Sequence, residues 1–177
     1  MSSPSHSLIR FLRRDTRGAA AVEFALVVPI LLAIIFATLE AGWIMVQTIM
    51  LDRALDMTVR ELRIGSFTDP TQEKMRDRIC EKAVVLADCR NTMALELIPV
   101  IDASSYPTDA ARCLDRSTEI EPVLRFNPGQ RSQMVFVRAC YVVAPLTPKF
   151  ALGLLLSKDA NGDVRLISKS GFINEPA

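Results

Sequence analysis

The chain has 177 residues, a formal net charge of +1 and a mean hydropathy of +0.24, and half of its residues are hydrophobic. Such a composition fits a single domain and excludes an intrinsically disordered chain, which has fewer apolar residues and a larger net charge. Because 21 basic side chains are balanced by 20 acidic ones, the chain lacks the basic excess with which nucleic-acid-binding proteins neutralise phosphates. We therefore expect neither DNA nor RNA as a partner.

The chain begins with a short basic segment, residues 1–18. It contains four arginines and one aspartate, and so contributes +3 directly before an apolar run. The basic flank of a membrane span stays in the cytoplasm by the positive-inside rule. We expect the part of the chain that follows the span to be exported.

A long apolar segment follows the basic one. Of the 33 residues from 19 to 51, 26 are apolar, and 16 uncharged residues separate Glu23 from Glu40. A 16-residue helix is about 24 Å long, whereas the hydrocarbon core of a bilayer is roughly 30 Å thick, so the predicted membrane span is extended to about residues 24–46. The core helix of a soluble protein is the alternative, but such a helix rarely stays apolar on every side for six turns.

Glu40 is the acidic residue within this predicted span. It follows Glu23 by 17 positions, so the two side chains lie about 100° apart around a helix and do not share a face. We expect Glu40 near the interface on the exported side, beside Trp43, which is a typical interfacial anchor. A role in helix pairing is the alternative.

The helix is predicted to continue beyond the membrane. Apolar residues recur there at spacings of three and four up to Leu62, and Gly65 supplies a C-terminal stop, which gives one helix over residues 19–64. A second helix is predicted to begin with Asp69 as its N-cap and Pro70 at its first position.

The rest of the exported part is predicted to form strands, because it has runs of β-branched and other apolar residues between turn signals. The predicted strands are Ala94–Asp102 and Gln133–Ala144, with weaker candidates at Pro122–Phe126 and Asp163–Phe172. The predicted fold class is α+β, with a long N-terminal helix, a second helix and a small antiparallel sheet head. The predicted domains are a basic leader (1–18), the long helix (19–64) and an exported α+β domain (65–177).

Four cysteines, Cys80, Cys89, Cys113 and Cys140, all fall in the exported part, where an oxidising compartment favours disulfides. A zinc site is the competing interpretation. It is disfavoured because the chain has no closely spaced cysteine pair and its one histidine, His6, lies in the basic segment. Three disulfide pairings are possible. We favour Cys80–Cys89 with Cys113–Cys140, and the others stay open.

The residues at the start of the apolar run resemble a type IV prepilin processing site. The sequence RRDTRGAAAVEF, residues 13–24, has a basic leader that ends at Gly18, four small or apolar residues, and then Glu23 with the aromatic Phe24 at the head of the apolar helix. With Trp43 and the amphipathic continuation, residues 17–64 resemble the TadE-like family of pseudopilins from tight-adherence (Flp-type) pilus systems. The head resembles such proteins only loosely.

The resemblance implies a pilin-like fold and cleavage by a prepilin peptidase between Gly18 and Ala19. Glu23 would then lie four positions inside the new N-terminus and pair with the ammonium group of Ala19, on the same or the adjacent subunit, because a carboxylate at the edge of hydrocarbon needs a partner. The alternative is that Glu23 only reaches toward the headgroups. Phe24 replaces the tyrosine typical of Flp-type major pilins, and 126 residues follow Leu51, so a minor pseudopilin is favoured over the main subunit.

The resemblance also implies where the protein acts and with what. The expected location is the bacterial inner membrane, crossed once, with the N-terminus cytoplasmic, the C-terminal domain periplasmic, and incorporation into the pilus left open. The expected partners are the prepilin peptidase, other Tad/Flp pilins and minor pseudopilins, the inner-membrane pilus assembly platform and the lipid bilayer. The expected function is assembly of an adherence pilus.

We expect no enzymatic activity, no cofactor and no metal. Glycine-rich phosphate-binding, dinucleotide-binding and nucleophile-elbow patterns are lacking, and the acidic pair Glu119 and Glu121 is typical of a solvated edge. An uncleaved single-span inner-membrane protein with a periplasmic binding domain is the main alternative. A membrane-tethered enzyme is the second.

Overall fold

The structure is a computed structural model that describes residues 18–67, 69–114 and 123–174. Residues 1–17, with His6 and nearly all of the basic leader, and the Glu119 and Glu121 pair lie outside this part. In the described residues the chain forms three helices, two short 3-10 turns at Ala103–Ser105 and Ala151–Leu154, and three strands. In chain order the helices and strands are α1 (Ala19–Arg63), α2 (Gln72–Lys82), α3 (Cys89–Thr92), β1 (Met93–Val100), β2 (Met134–Val143) and β3 (Val164–Ile173).

Helix α1 is continuous over 45 residues, or about 68 Å, and keeps Pro29 in its interior. It ends where the sequence predicts. Gly65 has a positive φ of 70° and its N–H donates to the carbonyl of Leu62 at 3.2 Å, while the N–H of Ser66 donates to the carbonyl of Glu61 at 3.1 Å. These two bonds form a Schellman motif, which a glycine satisfies without steric cost.

One stripe of α1 is buried, and it covers only the C-terminal part of the helix. Its members recur at spacings of three and four, as expected for one face of a helix. They are Glu40, Gln47, Leu51, Ala54, Leu55, Thr58, Val59 and Leu62. The head of the protein therefore buries side chains of α1 only from Glu40 onward.

The sheet is antiparallel, with strand order β1-β2-β3. In its register Leu97 lies opposite Val137, and Val137 opposite Ser170. The inner face of the sheet packs on α1 and α2. The core between them contains Leu51, Leu55, Val59, Met75, Ile79, Met93, Leu95, Leu97, Val135, Val137 and Tyr141. This helix-on-sheet arrangement confirms the predicted α+β fold class.

The two main strand predictions and the weaker candidate Asp163–Phe172 are confirmed to within two residues at each end. The other weaker candidate, Pro122–Phe126, is wrong over its described residues, 123–126. In its described part, Phe126 makes an isolated parallel bridge to Leu97. The Leu97 N–H donates to the Arg125 carbonyl at 2.9 Å, and the Asn127 N–H donates to the Leu97 carbonyl at 3.0 Å. The next residue, Pro128, has no N–H to extend the pairing.

The predicted start of the second helix is also wrong, by two residues. Thr71 is the N-cap, because its hydroxyl accepts the N–H of Lys74 at 3.3 Å. Asp69 instead has a positive φ of 49°, and its carbonyl accepts a bond from the Lys74 ammonium at 3.2 Å. Pro70 therefore precedes the cap rather than opening the helix.

Two disulfides brace the head, in the pairing that the sequence analysis favours. Cys80–Cys89 joins the end of α2 to the start of α3, with a Cα–Cα distance of 5.6 Å. Cys113–Cys140 ties the segment after β1 to the outer face of β2, with a Cα–Cα distance of 5.3 Å. The second disulfide fixes a long connection across the face of the sheet that α1 does not cover.

Candidate functional site

The N-terminal half of α1, residues 19–39, projects away from the head. Its large apolar side chains are exposed, and an 18-residue window of α1 has a mean hydropathy of 2.6 with none of its residues buried. By length and composition this helix can cross a membrane, which is also true of signal sequences and of some core helices. Since an apolar surface of this size is not left in water, the segment needs a bilayer or other helices around it.

The residues of the predicted processing site lie at the free end of this segment. Gly18 is the N-cap of α1, with φ of −84°, and a Cβ added to it would meet no atom within 4 Å. Ala19 opens the helix, and one turn later Glu23 and Phe24 are both exposed, the ring of Phe24 by 70%. The site is therefore reachable by another protein and makes no contribution to the fold of the head.

Glu40 has the opposite environment, because the head covers it. Its side chain is 1% exposed. The backbone N–H of Thr147 donates to one carboxylate oxygen at 3.2 Å, and the hydroxyl of Thr147 donates to the other. One turn earlier, the ring of Phe36 packs edge-to-face against Phe150 at a centroid distance of 6.1 Å. Glu23 and Glu40 thus lie about 25 Å apart along one helix, in different surroundings.

The partners of Glu40 belong to residues 144–157, the first part of the connection between β2 and β3, which we call the β2–β3 loop. The Lys158 ammonium holds this loop together by donating to the carbonyls of Pro148 and Gly153, at 2.9 and 2.7 Å. A Cβ at Gly153 would lie 1.8 Å from the carbonyl oxygen of Thr147, so the loop closes this tightly only with glycine there. The loop that receives Glu40 is therefore compact and cross-braced.

Sequence reasoning identified neither Thr147 nor Phe150 nor Gly153. Their signal is the run PLTPKFALGLLL over residues 145–156, in which seven of twelve residues are hydrophobic and none is acidic. The run lies between two strands, where a polar turn is usual. Its contact with Glu40 is not readable from local pattern because 107 positions separate the two residues.

The outer face of the sheet holds a buried ion pair. Arg138 and Glu96 are 3% and 1% exposed, and two nitrogens of the guanidinium donate to the same carboxylate oxygen at 2.9 and 2.5 Å. A third donates to the backbone carbonyl of Asp109 at 2.8 Å. The pair anchors the connection that crosses this face.

The carboxylate of Asp109 sits beside two guanidinium groups. Arg125 donates to both of its oxygens, at 3.1 and 2.9 Å, and Arg138 lies 3.7 Å away. Partial burial raises the pKa of Asp109, but the hydrogen bond with Arg125 and the two positive charges outweigh it, so the pKa is lowered overall. These acidic residues are engaged in structural pairs.

Other charged clusters of the head are paired in the same manner. A surface depression of about 410 Å³ is lined by Lys74, Asp77, Arg78, Glu81 and Arg90, among others. Arg90 contacts Asp77 at 3.0 Å, and Arg78 contacts Glu81 at 3.1 Å. Over residues 18–67, 69–114 and 123–174, no group of three or more His, Cys, Asp or Glu side chains is placed to hold a metal ion.

The comparison with known protein families identifies the N-terminal helix α1. Residues 18–60, which are 43 of the 177, match the family model described as "TadE-like protein". No curated protein and no solved structure matches the chain. The family match confirms the resemblance seen in the sequence and supports a function associated with the Tad pilus. It covers the exposed half of α1 and most of the buried half, and it ends before α2 and the sheet.

Proposed function

We propose, from the TadE-like match over residues 18–60, that the chain is a minor pseudopilin that takes part in assembly of a Tad/Flp-type adherence pilus. The observation that carries the proposal is the division of α1 at Glu40. Before it, 21 mostly apolar residues carry no buried side chain, and Phe36 alone is described in contact with the head; after it, one face of the helix is buried against the head. Such a helix can leave the bilayer and enter a bundle of like helices while the head stays folded.

In this proposal the membrane span is Ala19–Leu39 rather than residues 24–46. A helix of 21 residues is about 31 Å long, which matches the roughly 30 Å hydrocarbon core. Glu40 then lies at the periplasmic surface, held by Thr147 instead of facing lipid. The domains become a cytoplasmic leader (1–18), the span with its helical continuation (19–64) and a periplasmic α+β domain (65–177), in a single-pass inner-membrane protein.

A prepilin peptidase would cleave the bond between Gly18 and Ala19. The exposure of both residues supports this step, because a peptidase must reach the backbone on both sides of the bond. After cleavage, Glu23 lies about 6 Å along the helix from the new ammonium group. Since the head does not cover Glu23, its carboxylate is available to the ammonium group of Ala19 on the same or a neighbouring subunit.

The head supports a minor rather than a repeating role. It is a disulfide-braced α+β unit whose core includes the C-terminal part of the helix, and such a bulk on every subunit would crowd a thin filament. The partners are then the prepilin peptidase, other Tad/Flp pilins and minor pseudopilins, and the inner-membrane assembly platform. The protein acts by packing and recognition, without a cofactor and without chemistry of its own.

The test is the mass and N-terminal sequence of the protein from hosts with and without the prepilin peptidase. We expect a chain that begins at Ala19 in the competent host and at Met1 in the other. Gly18→Val should block cleavage without disturbing the fold, because a side chain at Gly18 meets open space. Gly42→Val is the matched control, since a Cβ at Gly42 also meets no atom within 4 Å, and it should be cleaved normally.

A chain that still begins at Met1 in the competent host would refute the pseudopilin proposal. It would favour the alternative of an uncleaved single-span protein whose periplasmic domain binds another partner. Glu23→Ala separates processing from assembly: the variant should insert and keep its fold, yet impair piliation. Normal pili in that variant would remove the assembly role of Glu23.

A further inference from the structure

The β2–β3 loop carries an apolar tip that the core does not use. Leu146, Phe150, Leu154 and Leu155 are exposed by 60%, 44%, 63% and 84%. They lie on a loop whose backbone is fixed, because Lys158 binds two of its carbonyls and the Leu155 N–H donates to the Leu152 carbonyl at 2.8 Å. A braced loop that presents leucines outward is a contact surface and not an unpacked stretch of core.

The position of this tip indicates what covers it. Phe150 packs on Phe36, and Thr147 binds Glu40, so the loop touches α1 just where its exposed apolar half ends. The apolar surface of the helix therefore continues without a break onto the loop. A bilayer or a set of helices that surrounds residues 19–39 must therefore contact the loop as well.

The charges of the loop fit the surface of a bilayer. Residues 144–157 contain no acidic side chain, and Lys149, next to Phe150, is exposed. A lysine at the rim of an apolar tip can place its ammonium group among headgroup phosphates while the neighbouring leucines enter the acyl boundary. The tip thus has both chemical parts of an interfacial membrane contact.

We propose that the β2–β3 loop is a second membrane contact, which inserts Leu146, Phe150, Leu154 and Leu155 into the headgroup–acyl boundary beside the span. The contact holds the head against the periplasmic surface of the bilayer instead of leaving it free to tilt. The inference rests on the membrane placement of α1, and it does not require that the chain is cleaved or enters a pilus. In this proposal the loop tip contacts the lipid surface. A neighbouring subunit on the same tip is a different outcome, which the experiment separates.

The experiment is depth-dependent quenching of single tryptophans by brominated lipids, with the full 177-residue chain in phosphatidylcholine–phosphatidylglycerol vesicles. Trp43 is the one native tryptophan and is changed to phenylalanine. Tryptophan is then introduced as Leu155→Trp in the loop, as Leu31→Trp in the span, or as Val84→Trp. Val84 is the matched control because it is apolar and 82% exposed but lies far from the span. It directly follows α2, and Lys82 at the end of α2 contacts Glu61, which is about 31 Å beyond Glu40 along α1.

We expect the Leu155→Trp and Leu31→Trp proteins to be quenched at least threefold more strongly than the Val84→Trp protein, with blue-shifted emission from the loop. Quenching of Leu155→Trp no greater than that of Val84→Trp, while Leu31→Trp is quenched, overturns the loop contact and leaves the span intact. A blue shift of Leu155→Trp without lipid quenching, lost when the protein is diluted in lipid, overturns it in favour of a neighbouring subunit. If Leu31→Trp is not quenched, the membrane placement fails and the loop contact with it.

Discussion

Replacing Glu40 by alanine removes the acceptor that holds the β2–β3 loop on α1. The carboxylate is 1% exposed and takes hydrogen bonds from both the N–H and the hydroxyl of Thr147. Alanine leaves the half-buried N–H without its acceptor and the hydroxyl with only the carbonyl of Phe150, 3.1 Å away. Hydrogen bonds to a charged group contribute about 1.5–3 kcal/mol each and do not add fully. We expect the docking of the loop to weaken by about 2–4 kcal/mol.

This loss can be measured by amide hydrogen exchange. The N–H groups of Gly153, Leu155 and Leu156 donate within the loop, so their exchange reports its opening. Because about 1.4 kcal/mol is a factor of ten, their protection should fall by roughly 30-fold or more, up to the point where the loop is fully open. Glu40→Gln keeps one carbonyl acceptor in nearly the same shape and should lie between the alanine variant and the native protein.

Glu23→Ala is the control for this measurement. It removes a carboxylate from the same helix at a position that the head does not touch, so exchange in the loop should not change. Unaltered protection of the three loop amides in Glu40→Ala, with β2 equally protected in both proteins, would refute the reasoning. Faster exchange throughout β2 would instead mean that Glu40 stabilises the whole head and not the loop alone.

The two remaining predictions concern the outer face of the sheet. Arg138→Met should destabilise the head by about 3–5 kcal/mol in denaturant unfolding, because it removes both hydrogen bonds to the buried carboxylate of Glu96 and leaves it only Arg125, 3.8 Å away. Adding Glu96→Leu should recover most of the loss, and a double variant as unstable as the single one would contradict this. Asp109, whose pKa is lowered from 3.8 by Arg125 and Arg138 despite desolvation, stabilises the folded state when ionised. That contribution is present above the pKa of Asp109 in the unfolded chain and is lost as the pH falls through its pKa in the folded protein. In thermal unfolding, Asp109→Asn should therefore be less stable than the native protein near neutral pH and should lose less stability on acidification.

The features that local pattern predicted correctly are those that local physics determines. The period of apolar residues gave α1 nearly to the residue, and Gly65 marked its end because the Schellman motif involves only neighbouring residues. The start of the second helix was misplaced because Asp69 and Thr71 are both competent caps. Local rules favour Asp69 before Pro70, whereas the folded chain uses the hydroxyl of Thr71.

The environment of Glu40 could not be predicted from its neighbours in the sequence. In the sequence, Glu40 is a carboxylate within an apolar run, and such a residue is explained either by a position at the membrane interface or by pairing with another helix. Its actual partner, Thr147, comes from a loop between two strands and meets the helix only because the sheet packs on α1. Long-range contacts of this kind depend on the order of the strands and on their register, and neither has a local signal.

The docking at Glu40 leaves no hinge between the free half of α1 and the head. Since one helix runs through both, the azimuth of the head is fixed relative to the carboxylate of Glu23. Each residue advances a helix by about 100°, so inserting a single residue between the two glutamates would turn the head by that angle, whereas seven would nearly restore it. A neighbouring subunit that binds residues near Glu23 therefore also sets the direction in which the distant outer face of the sheet points.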